Sequence, residues 1–283
     1  MKRWNQQMGW KKDRWNPNPK LHSILATVPD EVDLSKNCPS IRDQGNEGSC
    51  VGHGIGANVT YWLIVLGLYK EWFSVRDIYN GARFVGGYLN EEGAYPDDAV
   101  TWLENKGCLL EHFWPYVANG TDMNKAPSSS LDSERAKYPV LDGKRVTGDL
   151  SGIYSALATG HPVSIGSPWF DAWMDTDKDG KLSVVTNRSL VAGGHEWCCF
   201  GYSKKTGYLG PCMNSWSIGW GKKGFFYVPT SAIKVFKSVQ GYDAHIIDVD
   251  WKSVEPQPTP AQSIIELRKS TDGERSWTTL YKG

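Results

Sequence analysis

Gln44-Gly45-Asn46-Glu47-Gly48-Ser49-Cys50 leads without a break into Val51-Gly52-His53-Gly54-Ile55-Gly56-Ala57, and the run carries on to Tyr69. From Ser49 to Tyr69 apolar residues fall on nearly every face of a helix, which marks a central helix buried between two bodies. Its amino end coincides with Cys50, and the partial positive charge there favours a thiolate. A lone cysteine is usually a small buried hydrophobe, so a reactive one needs partners. A thiol needs a base to ionise near neutral pH, and the base needs a third group to hold its ring. Downstream stand Gly193-Gly194-His195-Glu196-Trp197 and Met213-Asn214-Ser215-Trp216-Ser217-Ile218-Gly219-Trp220-Gly221.

Two further helices follow the first. Tyr95 to Lys106 has Pro96 early, Asp97 and Asp98 in its first turn, then Val100, Trp102 and Leu103, and Gly107 as a stop. Asp149 to Thr159 carries Ile153, Tyr154 and Leu157, and Gly160 ends it. After Gly160 the signal changes to short strands between Gly-rich turns: 162–166, 197–200, 209–213, 224–228 and 245–249. A helical first half and a β-rich second half imply an α+β fold with two lobes and a cleft between them. Cys50 would come from the helical lobe, His195 and Asn214 from the sheet lobe.

With these flanks the chain resembles the papain-like cysteine peptidases. The resemblance extends to Val32-Asp33-Leu34, Cys38-Pro39-Ser40-Ile41-Arg42-Asp43-Gln44-Gly45, Glu111-His112-Phe113-Trp114-Pro115-Tyr116, Gly201-Tyr202 and Gly224-Phe225-Phe226-Tyr227-Val228, covering roughly residues 32 to 235. Met8-Gly9-Trp10-Lys11 is similar to the lead-in of compact bacterial members. The resemblance implies Cys50 as nucleophile, His195 as acid and base, Asn214 as its orienter, and Gln44 as oxyanion donor beside the Cys50 N–H. Trp216 would shield the His–Asn bond and border the substrate site, and Gly93-Ala94 would form the wall along which substrate runs. Three positions depart from the pattern: Glu47 stands where a disulfide cysteine is usual, Val51 where Trp is usual, and Ser217 where Gly is usual. The base and its orienter are expected about 130–150 residues after the cysteine; His195 fits and Asn214 lies a little beyond.

Composition sets bounds. The 283 residues are 40% hydrophobic with zero formal net charge, enough for a core of one or two lobes and without the basic surface that nucleic acid requires. The six cysteines, Cys38, Cys50, Cys108, Cys198, Cys199 and Cys212, leave five if Cys50 is reactive, a poor basis for a disulfide framework. The start lacks a signal-peptide run, and the longest apolar stretch is too short for a bilayer. A cytoplasmic chain is expected, or a virion component if phage-encoded. The expected organisation is an extended arm over 1–31, a peptidase domain over 32–250 (helical lobe about 32–138, β-rich lobe about 139–250), and a Pro-rich linker and tail over 251–283. The arm, with Trp4, Trp10 and Trp15, is read as a brace in preference to a block.

Two acidic features remain. Glu196 reads either as a carboxylate at the rim of a side-chain pocket favouring basic residues, or as a residue that faces solvent or pairs with a nearby Lys. Asp175, Asp177, Asp179 and Gly180 fit the opening of a calcium loop, but Thr186 stands where Glu is needed. Calcium is therefore a candidate ligand, an acidic hairpin turn the plainer reading, and the chemistry itself requires no cofactor. The expected partner is a protein or peptide substrate. The competing reading is a structural or binding component of a phage particle or other assembly, contacting a partner through the arm or tail.

Overall fold

The computed structural model describes residues 7–68, 71–147, 149–251 and 254; the Pro-rich linker, most of the tail and Trp4 lie outside them. Helix α1 spans Cys50–Val65 and is buried along almost its whole length. Glycine inside a helix costs about 1 kcal/mol against alanine, yet here it sets the packing distance. A methyl on Gly52 would stand 2.8 Å from Tyr79 Cβ, and one on Gly54 2.5 Å from Glu196 Cγ. These two positions let α1 lie hard against the helical lobe on one side and the sheet on the other.

Helix α2 spans Val75–Gly86, begun by Ser74, whose hydroxyl accepts from Asp77 N, and closed by left-handed Gly87. Helix α3 spans Pro96–Lys106. Helix α2 is buried on two sides: Val75, Ile78, Tyr79 and Ala82 pack into the apolar core, and a second buried side is charged. Buried Arg76 grips Glu47 through two N–H groups (2.5 and 2.9 Å), and buried Asp77 takes Arg135 (2.6 Å) and the Trp102 indole (3.1 Å). The ion pair thus occupies the place where the resemblance expects a cystine. All six cysteines are unpaired.

The sheet comprises β1 (Glu31–Asp33), β2 (Val140–Arg145), β3 (Val163–Phe170), β4 (Val191–Cys199), β5 (Gly201–Ser203), β6 (Tyr208–Met213), β7 (Phe225–Pro229) and β8 (Asp243–Val249). Its order is β1-β5-β6-β4-β3-β8-β2, with β7 on β6, and its strand pairs are antiparallel. Helix α4 is a single turn at Asp132–Arg135; α5 (Leu150–Ala158) and α6 (Ala232–Val239) cover the sheet. Trp169, Trp173, Trp197, Trp216, Trp220 and Phe226 fill its core. The α+β fold with two lobes is as the sequence implies, and α1 is the wall they share. No helix among the described residues is long and apolar enough to cross a membrane.

Candidate active site

Cys50 is the first residue of α1. The preceding Ser49 does not cap the helix; its hydroxyl pairs with Tyr116 Oη (2.6 Å). The amino end of α1 is therefore left open beside the thiol. Strand β4, which packs against α1, carries His195, whose Nε2–H donates to Asn214 Oδ1 at 2.7 Å while Nδ1 has no hydrogen-bond partner. That bond fixes the tautomer and leaves Nδ1 as the acceptor. Trp169 and Trp216 enclose the imidazole at 4.9 and 4.8 Å between ring centres. Trp216 is fully buried: it walls the His195–Asn214 bond away from water and does not line open substrate surface.

Gln44 is placed by three contacts. Its Oε1 accepts from Ser215 Oγ (2.6 Å), and its Nε2–H groups donate to the carbonyls of Glu47 (2.9 Å) and Gln7 (2.7 Å). The two carbonyls, which can only accept, decide which way the amide points, and the Ser215 hydroxyl donates to its other end. Tyr116 Oη adds a bond to the Gln44 carbonyl (2.8 Å). Sequence reading missed Ser215 and Tyr116 as supports; the Asn-Ser-Trp motif was the available signal for the first. Ser217 adopts φ +63°, which explains why glycine is usual there.

The arm runs through this site. The Gln7 carbonyl sits on Gln44, and Gly9 passes so close to Gly48 that a methyl on it would lie 1.8 Å from the Gly48 carbonyl oxygen. Ala94 N donates to Gly9 O (2.8 Å), Lys11 N to Ala94 O (2.9 Å), and Trp10 N to Gly194 O (3.1 Å). The wall predicted at Gly93-Ala94 is thus engaged by the protein's own backbone. Trp10 is buried and its indole donates to Asp243 (3.0 Å). Beyond it, Asp13 meets His245 (3.2 Å) and Arg145 (3.4 Å). Trp15 is 86% exposed and anchors nothing.

Occlusion sets the electrostatics. Burial pushes the Cys50 thiol up to about 12, against the main-chain N–H groups of Glu196, Gly9 and Val51 that favour the thiolate. Burial lowers His195 to about 4, opposed by its bond to Asn214. The closed site therefore holds a thiol and a neutral imidazole. With the arm in place Glu196 is buried, with neither oxygen hydrogen-bonded, and burial holds it well above the ordinary carboxylate range. Asp175, Asp177 and Asp179 form an exposed turn in which Asp177 Oδ1 accepts from the N–H groups of Asp179 (2.9 Å) and Lys181 (2.8 Å). Among the described residues, the acid-rich group whose ligand atoms converge is instead Asp13, Asp97 and His245. There burial opposes a charged imidazole, but bonds to Asp13 and Asp97 raise His245 to about 10, so it is a cation in an ion-pair cluster.

Comparison with known proteins bears on the family and the fold. The family model for the papain family of cysteine proteases matches residues 28–239. An uncharacterized peptidase C1-like protein of Acanthamoeba polyphaga mimivirus is 27% identical over 76% of this chain and 71% of its own length. Cysteine proteinase 3 of Entamoeba histolytica is 24% identical over 73% of this chain and 64% of its own length. The crystal structure of xylellain, a cysteine protease from Xylella fastidiosa, superposes with a TM-score of 0.78 at 24% identity, covering 88% of this chain and 98% of that one.

Proposed function

The chain belongs to the papain family of cysteine proteases and is a cysteine-type peptidase, and on that premise we propose that it is an endopeptidase working through Cys50, His195, Asn214 and Gln44. The Cys50 sulfur attacks the scissile carbonyl carbon, and its proton passes to His195 Nδ1. Gln44 Nε2–H and the Cys50 N–H stabilise the oxyanion. His195 then delivers the proton to the leaving amine as the C–N bond breaks, leaving a thioester that water, deprotonated by the same imidazole, hydrolyses. Asn214 holds the ring throughout. These steps need no cofactor, and the substrates are protein or peptide chains. One observation carries the reading: Gln44 Nε2–H, six residues before Cys50, already holds a peptide carbonyl, that of Gln7, at 2.7 Å.

That carbonyl belongs to the arm, so the described conformation is a closed one. The arm offers the thiol the N–H of Gly9, which is no electrophile. Opening readmits water, lowers the cost of charge on both groups and lets the thiolate form. The reading of a phage-particle or assembly component was motivated by the tail after Pro260, which lies outside the described residues, and by the Trp-rich arm, which from Gln7 onward packs on this chain's own body. Digestion of a peptide library by purified protein, with Cys50→Ala as control, tests the proposal. Cuts that vanish in the variant support it; cuts that persist reassign the nucleophile.

A further inference from the structure

His53 lies about one turn into α1 from Cys50 and is buried. It takes no part in the steps that make or break bonds. A buried ring nitrogen without a partner is costly, because it gives up its bonds to water. The ring is nevertheless held firmly. Its Nδ1 lies 3.1 Å from the Ser49 carbonyl, and Tyr116 packs edge-on at 4.7 Å between ring centres. A carbonyl only accepts, so Nδ1 carries the proton and Nε2 is left as an acceptor. Burial lowers His53 to about 3, opposed by its bond to Ser49 and helped by Arg42, Arg76 and His195. Nε2 therefore keeps its lone pair across the neutral range. It is buried and has no partner in the protein.

Asn214 has the complementary deficit. Its Oδ1 accepts from His195 Nε2–H (2.7 Å) and from Ser215 N–H (2.8 Å). Nδ2, with two N–H groups, is left buried and unpartnered. His53 and Asn214 line one small cavity, together with Gly54, Ser215 and Arg42. Its volume is about 10 Å³ over the positions a water's centre can take, about the room of a single water. His53 brings an acceptor to it and Asn214 a donor. Arg42 adds N–H groups beyond the one that Glu111 takes. One water satisfies this set by accepting from Asn214 and Arg42 and donating to His53.

We propose that the cavity holds one bridging water and that His53, acting through it, is a positioning residue for Asn214. The water ties Asn214 Nδ2 to His53 Nε2 and so keeps Oδ1 on the His195 ring. A bond drawn from Nδ2 also polarises the amide, which makes Oδ1 a better acceptor for the imidazolium that forms during the reaction. The inference rests on the peptidase reading above.

The test is a double-mutant cycle on turnover of a fluorogenic peptide by the full-length protein, with kcat and KM read separately per folded molecule. His53→Phe keeps the bulk of the ring and removes the acceptor. It should lower kcat about tenfold with KM little changed, the effect of one hydrogen bond that strengthens in the transition state. In the Asn214→Ala background the same substitution should change kcat less than about twofold, because the group it acts through is gone. His53→Leu, which also lacks the acceptor, should repeat the cycle if the Phe variant does not fold. His53→Gln, whose amide oxygen takes the same water, should restore most of the loss. A loss of equal size in both backgrounds, or one that His53→Gln shares, would make His53 a packing residue and overturn the inference while the peptidase reading stands. Equality of His53→Phe with the parent chain would overturn it as well. No Cys50-dependent turnover by the parent would overturn both.

Discussion

Trp10→Ala separates a strap that blocks from a strap that only braces. Trp10 is buried between Gly166 and Gly194, bonded to Asp243 by its indole and to Gly194 by its main chain. Truncating a buried Trp to Ala costs roughly 3–5 kcal/mol. In an arm that can lift, that cost falls on the closed state alone. The lower figure corresponds to a shift of about 100-fold in the closed-to-open ratio. Turnover of a fluorogenic peptide per folded molecule should therefore rise by up to about 100-fold, stopping where the open form predominates. Trp15→Ala, at an 86% exposed position on the same arm, should leave turnover where it was. Gly9→Leu should act as Trp10→Ala does, because no side chain fits beside Gly48. A Trp10→Ala protein that melts lower but turns over no faster per folded molecule would refute the blocking strap.

Other outcomes follow from the same geometry. Gln44→Ala should lower kcat by about 10²–10³ with a smaller change in KM. Ser215→Ala, which removes the donor to Gln44 Oε1, should cost on the order of tenfold in kcat; equality with the parent chain would remove Ser215 from the site's support. Glu47→Ala should destabilise by about 3–5 kcal/mol in urea melts, because it strands the buried Arg76 guanidinium, and a loss under about 1 kcal/mol, typical of exposed pairs, would contradict the ion-pair account. His245 is held at about 10, above its unfolded value. Its contribution is complete below about pH 6.5 and is lost as pH rises through 10, at about 1.4 kcal/mol per pH unit between 7 and 9. Denaturant melts across that range should show the slope, and His245→Gln should flatten it.

Signals carried by local residue type were legible in the sequence. The all-round apolar run from Ser49 gave α1, Pro96 with two acids gave α3, and the three site motifs gave the family. Helix α2 went unread although Val75, Ile78, Tyr79 and Ala82 stand at helical spacing, because Arg76, Asp77, Asn80 and Arg83 on its other face read as solvent-facing and yet are buried. Their burial depends on Glu47, Arg135 and loop carbonyls far away in the chain. Strand β4 reaches back to Val191, six residues before its apolar stretch, because Gly193 and Gly194 carry no strand signal. The arm's path was hidden for a different reason. It is fixed by main-chain bonds from Gly9, Trp10 and Lys11, which side-chain patterns do not encode. Glu196 was visible in the sequence, but its neighbours across the sheet, Gly166 and then Asp243, follow from register among strands distant in the chain.

The central claim is that Cys50 is the nucleophile of a site its own arm covers. Its most direct test is covalent labelling of the full-length protein and of Trp10→Ala by a peptide-like epoxide, followed by intact mass and peptide mapping. The account predicts one label per chain, on Cys50, added faster to Trp10→Ala than to the parent and absent from Cys50→Ala. Labelling of another of the six cysteines with Cys50 untouched, or equal rates in the covered and uncovered chains, would contradict it.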